Sequence, residues 1–100
     1  MKMKPEQMLQ RSGEAEQFLK LFANQSRLMV LCNLIDGELT VGALNERVPI
    51  SQSSLSQHLQ LLRDARLVTA RKEAREVYYR ITDPRAMALL ESLYDAFCHE

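Results

Sequence analysis

The segment Pro49 to Arg63 has the periodicity of a short amphipathic helix. Its polar face, however, carries hydroxyls and amides where a solvated helix carries Glu and Lys. With Leu55 as zero and about 100° per residue, Leu59 and Leu62 fall within roughly 40° of it and form the buried stripe. Ser53, Gln57 and Gln60 then point the other way. Such side chains donate and accept hydrogen bonds at base edges without setting carboxylates against phosphate, so the face suits a nucleic-acid groove. A merely polar surface is the plainer alternative.

The residues after this helix narrow the choice. Leu67 to Lys72 and Glu76 to Ile81 alternate with period two and are rich in β-branched or aromatic residues, with Glu73, Ala74 and Arg75 between them. The pattern is a hairpin with a charged tip. A helix-turn-helix followed by a basic hairpin is the order of a winged helix. In that fold the helix enters the major groove and the wing lies along the backbone or in the minor groove.

A chain of 100 residues with 46% hydrophobic content is expected to form one domain over residues 1–100, small enough that a dimer helps stabilise it. The formal charge is zero, which argues against nucleic acid until the distribution is considered. Arg63 to Arg80 holds six basic residues against three acidic, whereas Ile81 onward holds one against four. Charge of one sign on the wing and the other on the last helix fits one surface meeting phosphate and another meeting protein; a solvated face is the alternative. Met1 to Pro5 lacks the apolar run of a signal peptide and no stretch approaches a membrane span, so a cytoplasmic chain with no membrane partner is expected. No Gly-rich phosphate loop, catalytic carboxylate pair or nucleophile with a convincing base is present, so neither enzyme activity nor a cofactor is expected.

Five helices and a two-stranded wing account for nearly all of the chain, a mainly α fold. Ser12 to Ala23 places Ala15, Phe18, Leu19 and Phe22 on one face, and residues 1–11 read as a mobile tail or the start of that helix. Asn24 caps a second helix in which Leu28, Leu31, Cys32 and Ile35 share a stripe that Asp36 and Gly37 end. Thr40 to Arg47 is a short third helix, and Ser51 caps the fourth. Asp83 and Pro84 open a last helix lined by Ala86, Leu89, Leu90, Leu93 and Phe97. The first and last helices either form a homodimer or pack on their own core.

Phe22-Ala-Asn-Gln-Ser-Arg-Leu28, Gly37-Glu-Leu-Thr-Val-Gly-Ala-Leu44, Ser51-Gln-Ser-Ser-Leu-Ser-Gln-His-Leu59 and Tyr78-Tyr-Arg-Ile81 together resemble the ArsR/SmtB family of bacterial transcriptional repressors. The resemblance implies a winged-helix homodimer, paired through its first and last helices, that binds an inverted-repeat DNA operator and releases it on a chemical signal. Arsenic and cadmium sensors of that family carry Cys-Val-Cys in the third helix, where this chain has Thr40 and Gly42, and that metal site is missing. Asp83, Asp95, His99 and Glu100 lack the spacing of the family's zinc sensors, so no metal is expected.

The remaining pair, Cys32 and Cys98, is similar to that of the family's persulfide-responsive and redox-responsive branch. The resemblance implies attack on a sulfane-sulfur donor and then a disulfide or polysulfide bridge between the two helices. Core packing is the alternative for Cys32 on its stripe, whereas Cys98 lies roughly 120° from Ala86 at the edge of the last helix's apolar face. Ser53, Ser54, Gln57 and Gln60 are the expected groove contacts, with Arg71, Lys72 and Arg75 on the wing. His58 is either a further contact or a half-buried packing residue. Other readings remain open: a metal site using Cys98, His99 and Glu100, a plain thiol-oxidation switch, an activator that displaces a silencing protein, or a winged helix that binds protein instead of DNA.

Overall fold

The computed structural model of the chain describes residues 2–98. Its elements run α1 (Pro5–Lys20), α2 (Gln25–Asn33), β1 (Leu39–Thr40), α3 (Val41–Arg47), α4 (Gln52–Asp64), β2 (Val68–Glu73), β3 (Glu76–Ile81) and α5 (Pro84–Cys98).

Helix α1 starts at Pro5, ahead of Ser12, the second of the two readings of residues 1–11. Proline in the first turn has its φ preset and no N–H to satisfy, and Glu6 and Lys20 match the helix dipole at either end. Pro5 to Arg11 is therefore helical. The helix ends at Lys20 and not at Ala23, so Phe22 reaches the core from the adjoining turn while Leu19 stays 54% exposed. No residue of α1 is fully buried.

One contiguous core of Phe22, Val30, Leu31, Leu34, Leu44, Val48, Leu55, Leu59, Leu62, Leu67, Val68, Ala86 and Leu90 joins the other elements. In α2 the buried arc is centred on Val30, Leu31 and Leu34, and this corrects the expected stripe. Cys32 lies about 150° from the middle of that arc and is exposed, so it is no core residue. In α5, Ala86 and Leu90 are buried and Leu89 and Leu93 half-buried, but Phe97 is 82% exposed.

The wing is part of a three-stranded antiparallel sheet of order β1-β3-β2. Leu39 and Thr40 pair with Tyr79 and Tyr78, an edge strand too short to announce itself by alternation. Thr40 then serves as the N-cap of α3, its hydroxyl accepting from the Ala43 N–H at 3.1 Å. Gly37, at φ +146°, makes the preceding turn in a region where side chains are strained.

Two turns around the wing hold non-glycine residues in left-handed conformations, Arg66 at φ 65° and Ala74 at φ 57°. Arg66 closes α4: its N–H donates to the Arg63 carbonyl and the Leu67 N–H to the Leu62 carbonyl, each at 3.0 Å, while Leu62 and Leu67 are both buried. Ala74 and Arg75 form the two-residue hairpin loop between the paired Glu73 and Glu76. A left-handed side-chain residue costs about 1–2 kcal/mol, against roughly 0.5–1 kcal/mol for glycine's extra chain entropy. Arg66→Gly and Ala74→Gly should therefore each stabilise by up to about 1 kcal/mol, seen in thermal unfolding as a Tm rise of several degrees. A fall in Tm for both would contradict this account.

Candidate nucleic-acid interface

The geometry of α4 is set by its two ends and its stripe. Asn45 Nδ2 donates to the Ile50 carbonyl at 2.8 Å, locking the turn between α3 and α4. Ser51 Oγ accepts from the Ser54 N–H at 3.1 Å, satisfying one of the free donors of the first turn. Leu55, Leu59 and Leu62 are all buried, as their spacing predicts. The rotation this imposes leaves Ser53, Gln57 and Gln60 exposed and Ser54 half-buried. Gln60 is not entirely free, because its amide donates to Asp64 Oδ1 at 2.8 Å.

His58 is half-buried beside Arg27, with Arg27 Nη1 3.5 Å from His58 Nδ1. Arginine has no acceptor, so a hydrogen bond here uses the tautomer with Nδ1 unprotonated. Burial and then the Arg27 charge push the imidazole pKa below its ordinary value.

The wing cations do not share one face. By strand register Lys72 lies on the face of Val68, Ala70, Val77 and Tyr79, whereas Arg71 is on the opposite face with Tyr78. Arg71 is already engaged. Its Nε lies 3.0 Å from both carboxylate oxygens of Glu38, Nη1 and Nη2 bond Glu73 and Glu38, and the guanidinium stands 4.5 Å from the Tyr78 ring centroid. The hydrogen bonds from Arg71 hold the Glu38 carboxyl below its usual range, and those carboxylates raise the Arg71 pKa further. Arg75 is exposed in the turn and Lys72 is exposed on its strand. The Glu38–Arg71 pairing spans 33 residues and gives no local sequence signal, and neither does the 31-residue separation of Arg27 from His58.

Both cysteines are free and exposed. Partial burial, and then repulsion from the thiolate form of Cys98, push the Cys32 thiol pKa up. Among the described residues no group of three His, Cys, Asp or Glu side chains is arranged to hold a metal, and His99 and Glu100 lie outside those residues. No helix among them is long and apolar enough to cross a membrane.

Residues 24–70 match the model of the bacterial regulatory proteins of the arsR family. The transcriptional activator HlyU of Vibrio cholerae is 44% identical over 93 residues, which cover 93% of this chain and 86% of that protein. The biofilm growth-associated repressor of Xylella fastidiosa is 38% identical over 93 residues, covering 93% and 82%. The crystal structure of the transcriptional repressor BigR from Xylella fastidiosa superposes with a TM-score of 0.92 at 37% identity, covering 98% of this chain and all of that one. With helix-turn-helix, wing and overall fold in common with these proteins, the chain belongs to the arsR family of DNA-binding transcriptional regulators.

Proposed function

We propose that two copies of this chain bind an inverted-repeat operator as a repressor, and that a bridge between Cys32 and Cys98 changes the affinity. The observation that carries the DNA half of this reading is the uncharged exposed face of α4, with Ser53, Ser54 and Gln57 at base edges or adjacent phosphates and Gln60 at the far end. Lys72 and Arg75 are assigned to phosphate. Arg71, bound to two carboxylates, is reassigned from phosphate contact to anchor of the wing.

The second copy is inferred from apolar surface that a lone chain leaves in water. Met8, Leu9 and Leu19 on α1 are 60%, 75% and 54% exposed, and Tyr94 and Phe97 on α5 are 64% and 82% exposed. A helix of 16 residues with none fully buried gains little from packing on its own chain. Pairing through α1 and α5 leaves α4 free for the duplex, and successive major grooves on one face lie roughly 34 Å apart.

The sensing half rests on the two thiols being free and exposed, one on α2 and the other at the end of α5. One cysteine thiolate attacks the sulfane sulfur of a persulfide RS–SH, releasing the thiol RSH and leaving a cysteine persulfide. The second cysteine thiolate then displaces hydrosulfide from that persulfide and closes a disulfide, or a longer sulfur chain where more sulfur has been added. A direct disulfide needs Cα atoms within about 7 Å, and each inserted sulfur relaxes that limit. The bridge ties the end of α5 to α2 beneath the helix-turn-helix. Cys32 is exposed, so in the single chain burial does not shield it from bulkier oxidants.

Two experiments test this. In mobility-shift assays on the chain's upstream DNA, polysulfide treatment should change wild-type affinity by several-fold to about a hundredfold. Cys32→Ser should bind but not respond. Equal response of both, or a response to metal ions alone, contradicts the thiol switch, and sedimentation of a strict monomer contradicts the dimer. In salt titrations, Arg75→Ala should reduce the slope of log affinity against log salt by about one, whereas Arg71→Ala should weaken binding with the slope nearly unchanged.

A further inference from the structure

Arg27 joins three helices through one side chain. Its N–H is held by the Asn24 side chain at 2.9 Å, which fixes its base at the start of α2. Its guanidinium reaches back to the end of α1, where Nε donates to the Leu21 carbonyl at 2.8 Å and Nη2 to the Lys20 carbonyl at 3.0 Å. The third nitrogen, Nη1, faces Nδ1 of His58 in the middle of α4. The last carbonyls of a helix lack intrahelical donors and carry its negative dipole end, so a cation bound there is doubly favoured. Elsewhere α1 has no fully buried residue, and Phe18 packs partly buried on the core, 5.1 Å from the Phe22 ring, with Arg85 over its ring at 4.9 Å.

We propose that Arg27 is a positioning residue that couples the end of α1 to the DNA-reading helix α4, so that the orientation of one sets the orientation of the other. The functional part rests on the reading of α4 as the DNA-contacting helix. Arg27 lies at neither end of the link between the thiols, and so it acts whether or not they are bridged. Its planar fork is what the site uses: three acceptors in different directions are served by three nitrogens of one rigid group, which a lysine ammonium on a flexible stem does not reproduce.

The test compares wild type, Arg27→Lys, Arg27→Gln, His58→Gln and the Arg27→Gln/His58→Gln double variant. Arg27→Lys keeps the charge and should lower operator affinity about two- to thirtyfold without changing the salt slope. Amide exchange should quicken together in the last turn of α1 and around His58, while β2 and β3 keep their protection. The losses from Arg27→Gln and His58→Gln should be non-additive. A salt slope reduced by about one makes Arg27 a phosphate contact and overturns the proposal, as does exchange that quickens uniformly or at α1 alone.

NMR titration of His58 gives a readout that requires no DNA. The imidazole should titrate below the ordinary histidine value in wild type and move upward in Arg27→Gln, because the neighbouring charge is gone while burial remains. The unfolded chain takes up this proton first, so stability is lost as pH falls below the ordinary histidine value, and less of it is lost in Arg27→Gln. An unmoved titration overturns the contact. Should wild type fail to bind duplex, the DNA reading fails, and exchange and titration still decide whether the coupling exists.

Discussion

The burial of Leu55, Leu59 and Leu62 is the constraint on which the rest of the molecule depends. A helix with a single apolar stripe has one rotational setting that removes it from water, at about 25 cal/mol for each Å² of apolar surface covered. The stripe therefore decides what faces outward, and the exposed face has no acidic residue until Asp64 at its last turn. The hydrogen bonds of Asn45 and Ser51 fix where the helix begins, and the left-handed Arg66 fixes where it stops and the wing departs. In the proposed reading, recognition chemistry is a by-product of core packing: the apolar residues set the angle and the hydroxyls and amides inherit it.

The wing shows a different economy. The stretch Arg63 to Arg80 carries a surplus of three positive charges, yet Glu38 enters from the loop before β1 and claims one of them. Glu38 and Arg71 are both exposed enough that their pairing adds little to global stability in water. Its value is directional. Two carboxylates and the Tyr78 ring hold the guanidinium, and with it the face of the hairpin, against the edge of the sheet. The hairpin tip is left to project Arg75, while Lys72 serves the other face.

Local rules in the sequence located most of the architecture because most of it is local. The caps at Asn24 and Ser51, the period-two strands and the stripe of α4 each involve residues within a few positions of one another. What escaped was long-range or depended on a choice between adjacent stripes. On α2 the apolar residues surround much of the helix, so Leu28, Leu31, Cys32 and Ile35 form as good a stripe on paper as Val30, Leu31 and Leu34; only the position of the neighbouring helices decides. Residues 1–11 are open to a tail or a helix start, and the helix runs through them from Pro5. β1 exists only because β3 lies beside it, and Arg71 meets Glu38 only because the loop before β1 is folded against the wing.

These features converge on why a small displacement can control binding in the proposed dimer. A single copy offers the duplex Lys72, Arg75 and Arg80 on the wing and a neutral helix face, a modest source of phosphate affinity for a chain of zero net charge. Two rigidly joined copies gain much more, because once one half-site is occupied the second is met at a high effective concentration, and that gain vanishes when geometry forbids simultaneous engagement. A regulator whose affinity depends on such a gain need not lose any contact to let go. It needs only to change the angle between α1 and α4, or between α5 and α2. In the proposed mechanism Arg27 acts at the first of these junctions and the two thiols, on α2 and at the end of α5, at the second.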